Sequence, residues 1–142
     1  MPGSADPGQT FGRVADAYAR TRPPYSRAAI ELAAQELGLT SESTVLDLAA
    51  GTGNLTRALR ERFANVLAVE PDEGMRAQFE GDVMAGTAEA IPLPDNWVDA
   101  VFVGEAFHWF DAARALDEIR RVGSGLAVLA RSWGETEQPG LL

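Results

Sequence analysis

Residues Thr44 to Thr56, T-V-L-D-L-A-A-G-T-G-N-L-T, constrain the fold of this chain more than any other stretch. Val45, Leu46 and Leu48 form a short aliphatic run of the kind buried in a parallel sheet. The run stops at Ala49-Ala50-Gly51-Thr52-Gly53, where small residues allow a sharp turn and let a ligand approach the main chain. Asn54 to Arg62 then has helical spacing, with Leu55, Leu59 and Phe63 on one face. Strand, tight turn and helix in this order aim the unpaired N–H groups of the helix N-terminus at whatever lies over the turn. A dinucleotide-binding turn requires a third glycine that packs helix on strand; here that position is Thr56. A phosphate loop requires Gly-Lys-Ser/Thr, and this stretch has no lysine. An ordinary strand–helix turn that binds nothing is the other reading of the residues.

The length of 142 residues corresponds to one domain, long enough to bury a core. We read residues 1–9, rich in Gly, Pro, Ser and Asp, as a disordered start, and 10–142 as the single domain. The net charge of −9 argues against a general nucleic-acid binder, which needs clustered cations to neutralise phosphate. The chain has no cysteine, which excludes disulfides, thiol catalysis and cysteine-based metal sites, and no metal centre is expected. No apolar run has the length of a membrane span, and Met1 to Asp6 lack the pattern of a signal peptide; the expectation is a cytoplasmic protein with no membrane partner.

Along the chain, Phe11–Arg20 has helical spacing and ends at Pro23-Pro24. Ser26 is placed to cap a second helix that stops at Gly38. Strands are expected at Thr44–Leu48, Asn65–Glu70, Asp82–Gly86, Trp97–Gly104 and Gly125–Ala130. A short helix follows Asp72, and an amphipathic one covers Asp111–Val122. From Ser132 onward the polar residues, with Gly and Pro among them, predict an irregular tail. The alternation predicts an α/β fold: a Rossmann-like parallel sheet of five strands with helices on both faces. Ligands of such sheets bind beyond the carboxyl ends of the strands, which selects Ala49–Gly53, Glu70, Gly86–Ala88 and Gly104–His108.

Asp47-x-Ala49-x-Gly51-x-Gly53 resembles the acidic-x-Gly-x-Gly-x-Gly signature of class I S-adenosylmethionine-dependent methyltransferases, with Ala in the first glycine slot. Three further stretches match the same pattern in order. Glu70, with Pro71 beside it, ends the second strand, where an acidic group can accept hydrogen bonds from a ribose diol. Gly86-Thr87-Ala88, running on to Pro94, resembles the segment that lines the adenine, where the family often has Asp at the place of Thr87. Val98–Val103 followed by Gly104-Glu105-Ala106-Phe107-His108-Trp109-Phe110 resembles the end of the fourth strand, which faces the methionine part of the cofactor and the substrate. Phe11–Tyr18 and Arg22-Pro23-Pro24-Tyr25 resemble the cofactor-covering N-terminal region of the type 11 group of small-molecule methyltransferases.

The resemblance implies a methyltransferase that carries a methyl group from S-adenosyl-L-methionine to a small-molecule acceptor. It implies cofactor contacts at Asp47, Ala49, Gly51, Gly53, Glu70, Pro71, Thr87, Ala88, Glu105, Phe107, Tyr18 and Arg22. The sulfonium methyl is already activated, so the protein's task is alignment and exclusion of water. A base is needed only for an acceptor that must lose a proton. His108, the one histidine, is the catalytic candidate, against an ordinary role in orienting its loop. The family fold continues past the fifth strand. We therefore expect its C-terminal strands to be missing here, leaving an open strand-five edge through which a homodimer would form. A non-catalytic cofactor-binding fragment and a different nucleotide-binding protein, such as an NAD-dependent enzyme, are the alternatives.

Overall fold

The computed structural model describes residues 25–104 and 110–129, and the backbone of a last strand at 140–141. Its elements are α1 (Arg27–Glu36), β1 (Thr44–Leu48), α2 (Asn54–Arg60), β2 (Asn65–Glu70), α3 (Glu73–Ala77), β3 (Met84–Ala85), β4 (Ala100–Gly104), α4 (Ala112–Val122), β5 (Leu126–Leu129) and β6 (Gly140–Leu141). The strands form one sheet in the order β3-β2-β1-β4-β5-β6. The first five are parallel, and β6 pairs antiparallel with β5. This is the expected Rossmann-like α/β sheet. The expected N-terminal disorder and the helix at Phe11–Arg20 lie outside the described residues.

Local chemistry explains where the helices begin and end. Ser26 caps α1, its hydroxyl accepting from the Ala29 N–H at 3.2 Å. Gly38 ends it with φ of 68°, while Leu39 N–H donates to the Ala34 carbonyl at 2.8 Å. That pair of features is a Schellman stop, which a glycine makes without steric penalty. Asp72 caps α3 and Asp111 caps α4 in the same way as Ser26.

Strand β1 is central, and all of Val45–Leu48 is buried. The period-two pleat sends Val45 to one face, with Ala100, Phe102, Ala127 and Leu129, under α1 and α2. It sends Leu46 and Leu48 to the other, with Val69, Val101 and Val103, under α4 and the segment Ala88–Leu93.

Two expectations are corrected. Regular β4 begins at Ala100 rather than Trp97. Asn96 has φ of 53°, and the N–H groups of Asn96 and Val98 donate to the carbonyls of Arg121 and Val122 at the end of α4. Val98 keeps an isolated parallel bridge to Gly123 ahead of the regular strand, and Trp97 is left 55% exposed. The second correction is the tail, which was expected to be irregular and to leave β5 open. Gly140 and Leu141 pair with Val128 and Ala127, so β6 occupies that part of the edge. The premise of a dimer formed through a bare β5 edge is lost there.

Candidate functional site

The carboxyl end of β1 runs into a turn with three left-handed residues: Ala49 (φ 61°), Gly51 (φ 62°) and Gly53 (φ 97°). The Ala50 N–H extends the β1–β2 ladder to the Val69 carbonyl at 2.9 Å, and the Gly53 N–H closes the turn on the Ala50 carbonyl at 3.0 Å. An L-residue pays about 1 kcal/mol to hold the left-handed conformation, so the substitution of Ala for Gly at position 49 matters through φ rather than through size. The glycines are demanded by protein as well. A Cβ on Gly51 would lie 3.3 Å from Met75 Sδ, and one on Gly53 would lie 3.0 Å from the Phe79 ring. Met75 of α3 and Phe79, two residues past its end, take the Cβ directions that were expected to face a ligand.

Asp47 lies beneath the turn, 1% exposed, and accepts a hydrogen bond from Thr56 Oγ1 at 2.5 Å. Thr56 stands where a dinucleotide turn carries its third glycine. Here the strand and α2 are joined by a carboxylate–hydroxyl hydrogen bond instead of by close backbone packing.

Glu70, at the end of β2, joins the two sides of the site. One carboxylate oxygen accepts from the Gly51 N–H and the other from the Asp72 N–H, each at 2.8 Å. The residue is 5% exposed. Burial pushes its carboxyl above the usual range. The Asp72 and Gly51 N–H groups pull it back, the charge of Asp72 pushes it up, and Arg76 pulls it down. Arg76 Nη1 donates to the carbonyls of Glu70 and Pro71 at 2.9 and 2.8 Å, tying α3 to the same strand end. Each carboxylate oxygen has a second lone pair, so the bonded Glu70 retains acceptor capacity.

The next strand brings in the third stretch. Ala85 is the register partner of Glu70, and Gly86-Thr87-Ala88 follows directly. Thr87 is exposed and Ala88 is buried. A Cβ on Gly86 would lie 2.7 Å from Pro92 Cδ, so the returning arm of the loop rests on the outgoing one. The returning arm is bonded to α4. Arg121 donates to the carbonyls of Ile91 and Leu93, and Glu118 accepts from the Ile91 N–H. The Arg121 guanidinium holds the Glu118 carboxyl below the usual range, and Glu118 with Asp95 raises Arg121 in turn.

The structure thus brings Gly51, Glu70 and Pro71 together, with Gly53 on the same turn, Asp47 underneath, and Thr87 and Ala88 leaving the paired end of β3. Tyr18, Arg22, Glu105, Phe107 and His108 lie outside the described residues. Sequence reasoning missed several participants. Met75 and Phe79 close one side of the turn. Tyr25 lies across the end of β4, where a Cβ on Gly104 would fall 2.3 Å from its hydroxyl oxygen. The Glu118-x-x-Arg121 spacing on α4 was a readable signal of an i,i+3 pair. Thr52 was passed over as turn filler. Its hydroxyl is buried with no hydrogen-bond partner among the described residues, the kind of orphan that a bound ligand or water satisfies. Among the described residues there is no group of three His, Cys, Asp or Glu placed to hold a metal ion. No helix among them is long and apolar enough to cross a membrane.

Comparison with known proteins agrees with this geometry. The family described as "Methyltransferase domain" matches residues 46–128, more than half of the chain, from within β1 to within β5. An uncharacterized methyltransferase of Mycobacterium tuberculosis is 48% identical over 118 residues, covering 80% of this chain and 47% of the relative. The chain therefore spans about half the length of that relative. The crystal structure of a SAM-dependent methyltransferase from Aquifex aeolicus superposes with a TM-score of 0.61 at 25% identity, covering 80% of this chain and 68% of that one. The cyclase SpnF shares the fold with a TM-score of 0.69 at 20% identity, covering 87% of this chain and 58% of that one. Its name shows that this architecture is not confined to methyl transfer, so the fold alone does not name a reaction. The matched family and the 48% identical relative go further: the chain belongs to the methyltransferase-domain family.

Proposed function

We propose that this chain binds S-adenosyl-L-methionine across the carboxyl ends of β1, β2 and β3, and that it serves the methylation of a small-molecule acceptor. The observation that carries the reading is Glu70: a buried carboxylate fixed by N–H groups from both the glycine turn and the α3 cap. Such a group is held ready to accept from a ribose diol without reorganising. The orphan hydroxyl of Thr52 and the left-handed turn fit the same ligand. Gly51 and Gly53 would hold its amino-acid end, Glu70 its ribose, and Thr87 and Ala88 its base. When bound, the cofactor supplies an already activated methyl group. The chain's own contribution is then to bind, to orient and to exclude water. His108 is proposed as the base for an acceptor that must lose a proton.

The test is calorimetric titration with S-adenosylhomocysteine, with NAD as the control ligand. S-adenosylhomocysteine should bind and NAD should not; the reverse would overturn the assignment. Glu70→Gln should weaken binding at least about tenfold, the scale of one charge-assisted hydrogen bond. The pH dependence has a definite sign. Ribose hydroxyls donate to the ionised carboxylate, so affinity should fall on acidification through a titration that begins above the ordinary glutamate range. In Glu70→Gln that dependence should vanish. The loss would not be unfolding driven by Glu70. A carboxyl raised on folding contributes most stability when protonated, below its unfolded value, and loses that contribution as pH rises through the folded one.

A second reading is favoured by one observation, the match to only 47% of the relative's length. Here the chain binds cofactor but does not turn over by itself. Binding without methyl transfer across a panel of small oxygen, nitrogen and sulfur acceptors would select it.

A further inference from the structure

We propose that Glu118 and Arg121 are positioning residues for the base-reading arm of the site, holding Thr87 and Ala88 at the depth where a purine edge meets the backbone. The inference rests on the cofactor reading above and names two residues of α4 that this reading does not use.

Between Ile91 and Asp95 the chain belongs to no strand or helix. Backbone of that kind must find partners outside a ladder; the Leu93 N–H turns back to the Ile91 carbonyl at 2.8 Å, and one pair of side chains on α4 supplies further partners. Glu118 Oε1 accepts the Ile91 N–H at 2.8 Å. Arg121 Nη2 donates to the Ile91 carbonyl at 2.9 Å, and Nη1 to the Leu93 carbonyl at 2.8 Å. The pair is locked to itself by a fork. Arg121 Nε meets Glu118 Oε2 at 2.8 Å and Nη2 meets Oε1 at 2.9 Å, while Asp95 Oδ1 takes a further Nη1 hydrogen at 2.9 Å. A planar guanidinium can serve these directions at once, and an ammonium cannot.

The clamp acts on the site through Pro92. This residue lies between the two clamped carbonyls, and its ring closes on Gly86, leaving no room for a Cβ there. Displacing Ile91 and Leu93 therefore displaces the arm that carries Thr87 and Ala88. Ala88, Ile91 and Leu93 are buried in the same apolar cluster, so the arm moves as a unit on the sheet. A second latch, from the Asp111 N–H to Glu89 Oε2 at 2.7 Å, holds the outer side of the loop to the start of α4 and is left intact by changes at Arg121.

The experiment compares two ligands on the full chain: S-adenosylhomocysteine and its inosine counterpart, which differs only at the base edge. Wild type should prefer the adenine ligand. Arg121→Gln should lose about tenfold of that preference, the size of one well-made polar contact, with affinity for the inosine ligand nearly unchanged. Arg121→Lys, which keeps the charge but not the fork, should behave like Arg121→Gln. Backbone hydrogen exchange should rise at 86–93 and stay unchanged in α1 and α2. Equal loss for both ligands would mark a merely structural role and overturn the proposal, as would unchanged preference in a folded variant. If Arg121→Gln does not fold, Glu118→Gln takes its place with the same expectations. Wild type that binds neither ligand would instead overturn the cofactor reading. Wild type that binds both equally would leave that reading standing and overturn this one.

Discussion

On one face of the sheet, α1 and α2 set Ile30, Ala33, Leu55 and Leu59 in one apolar cluster with Val45, Phe102 and Leu129. On the other, α4 shares the layer with an irregular run, Ala88 to Leu93, whose backbone has no ladder of its own. The first face is regular structure on regular structure. Its backbone groups are already paired, and packing can hold it. Its ion pairs, Arg27 with Glu61 and Arg62 with Glu31, involve exposed or half-exposed side chains and contribute little in water. The second face includes a segment that can be buried only if side chains take the place of a neighbouring strand, and Glu118 and Arg121 do so. The difference teaches where polar chemistry is required inside a fold: at the irregular piece, and here the irregular piece leads into the site.

The largest expected effect tests the packed face. Phe102 is fully buried and its ring lies 6.0 Å from that of Phe63. Phe102→Ala should cost about 3–5 kcal/mol of unfolding free energy, nearly independent of salt, as read by urea denaturation at low and high ionic strength. A cost that collapses in high salt would break the contrast between the faces. Next comes the buried polar contact between Asp47 and Thr56 on that same side. Thr56→Val removes the hydroxyl that Asp47 accepts and should cost about 1–3 kcal/mol. Combined with Asp47→Asn it should cost less than the sum of the single changes, which a double-mutant cycle in denaturant measures. Strict additivity would mean that the contact does not join β1 to α2. The smallest effect sharpens the turn itself. Ala49→Gly relieves a left-handed alanine and should raise stability by about 0.5–1 kcal/mol, seen as a higher thermal midpoint. A lower midpoint would show that the alanine methyl packs too well to lose.

Much of the fold was legible because its signals are local. Ser26, Gly38, Asp72 and Asp111 announce helix ends by chemistry that acts within four residues, and the V-L-D-L and N-V-L-A-V-E runs announce buried parallel strands. Glu70 was legible as a strand-end acid, but its two N–H partners come from different elements and no spacing rule reveals them. The start of β4 was misread because Trp97 and Val98 have strand-like side chains, while the N–H groups of Asn96 and Val98 go to the carbonyls of Arg121 and Val122 and leave Val98 only an isolated bridge. The antiparallel pairing of Gly140 and Leu141 was missed for a related reason: two residues carry no periodicity. The purpose of Gly51 and Gly53 was half legible. Their need for positive φ can be read from a tight turn; the approach of Met75 and Phe79 depends on how α3 packs.

The order of the strands has a consequence for how this molecule comes into being. The partners of β1 are β2, about twenty residues later, and β4, just before which Asp99 meets Thr44 across a separation of 55 residues. A ribosome adding about 5–20 residues per second needs roughly 3–11 s to cross that gap. During that interval β1, β2 and β3 can already be joined, while the second side of β1 waits with its N–H and C=O groups unpaired. For that time the central strand of the finished sheet is an edge strand, and its exposure ends only when Ala100–Phe102 arrive to pair with Val45–Asp47. Slower translation across residues 60–100 would lengthen that exposure, and the yield of soluble protein would follow the speed of synthesis there more closely than the stability of the finished fold.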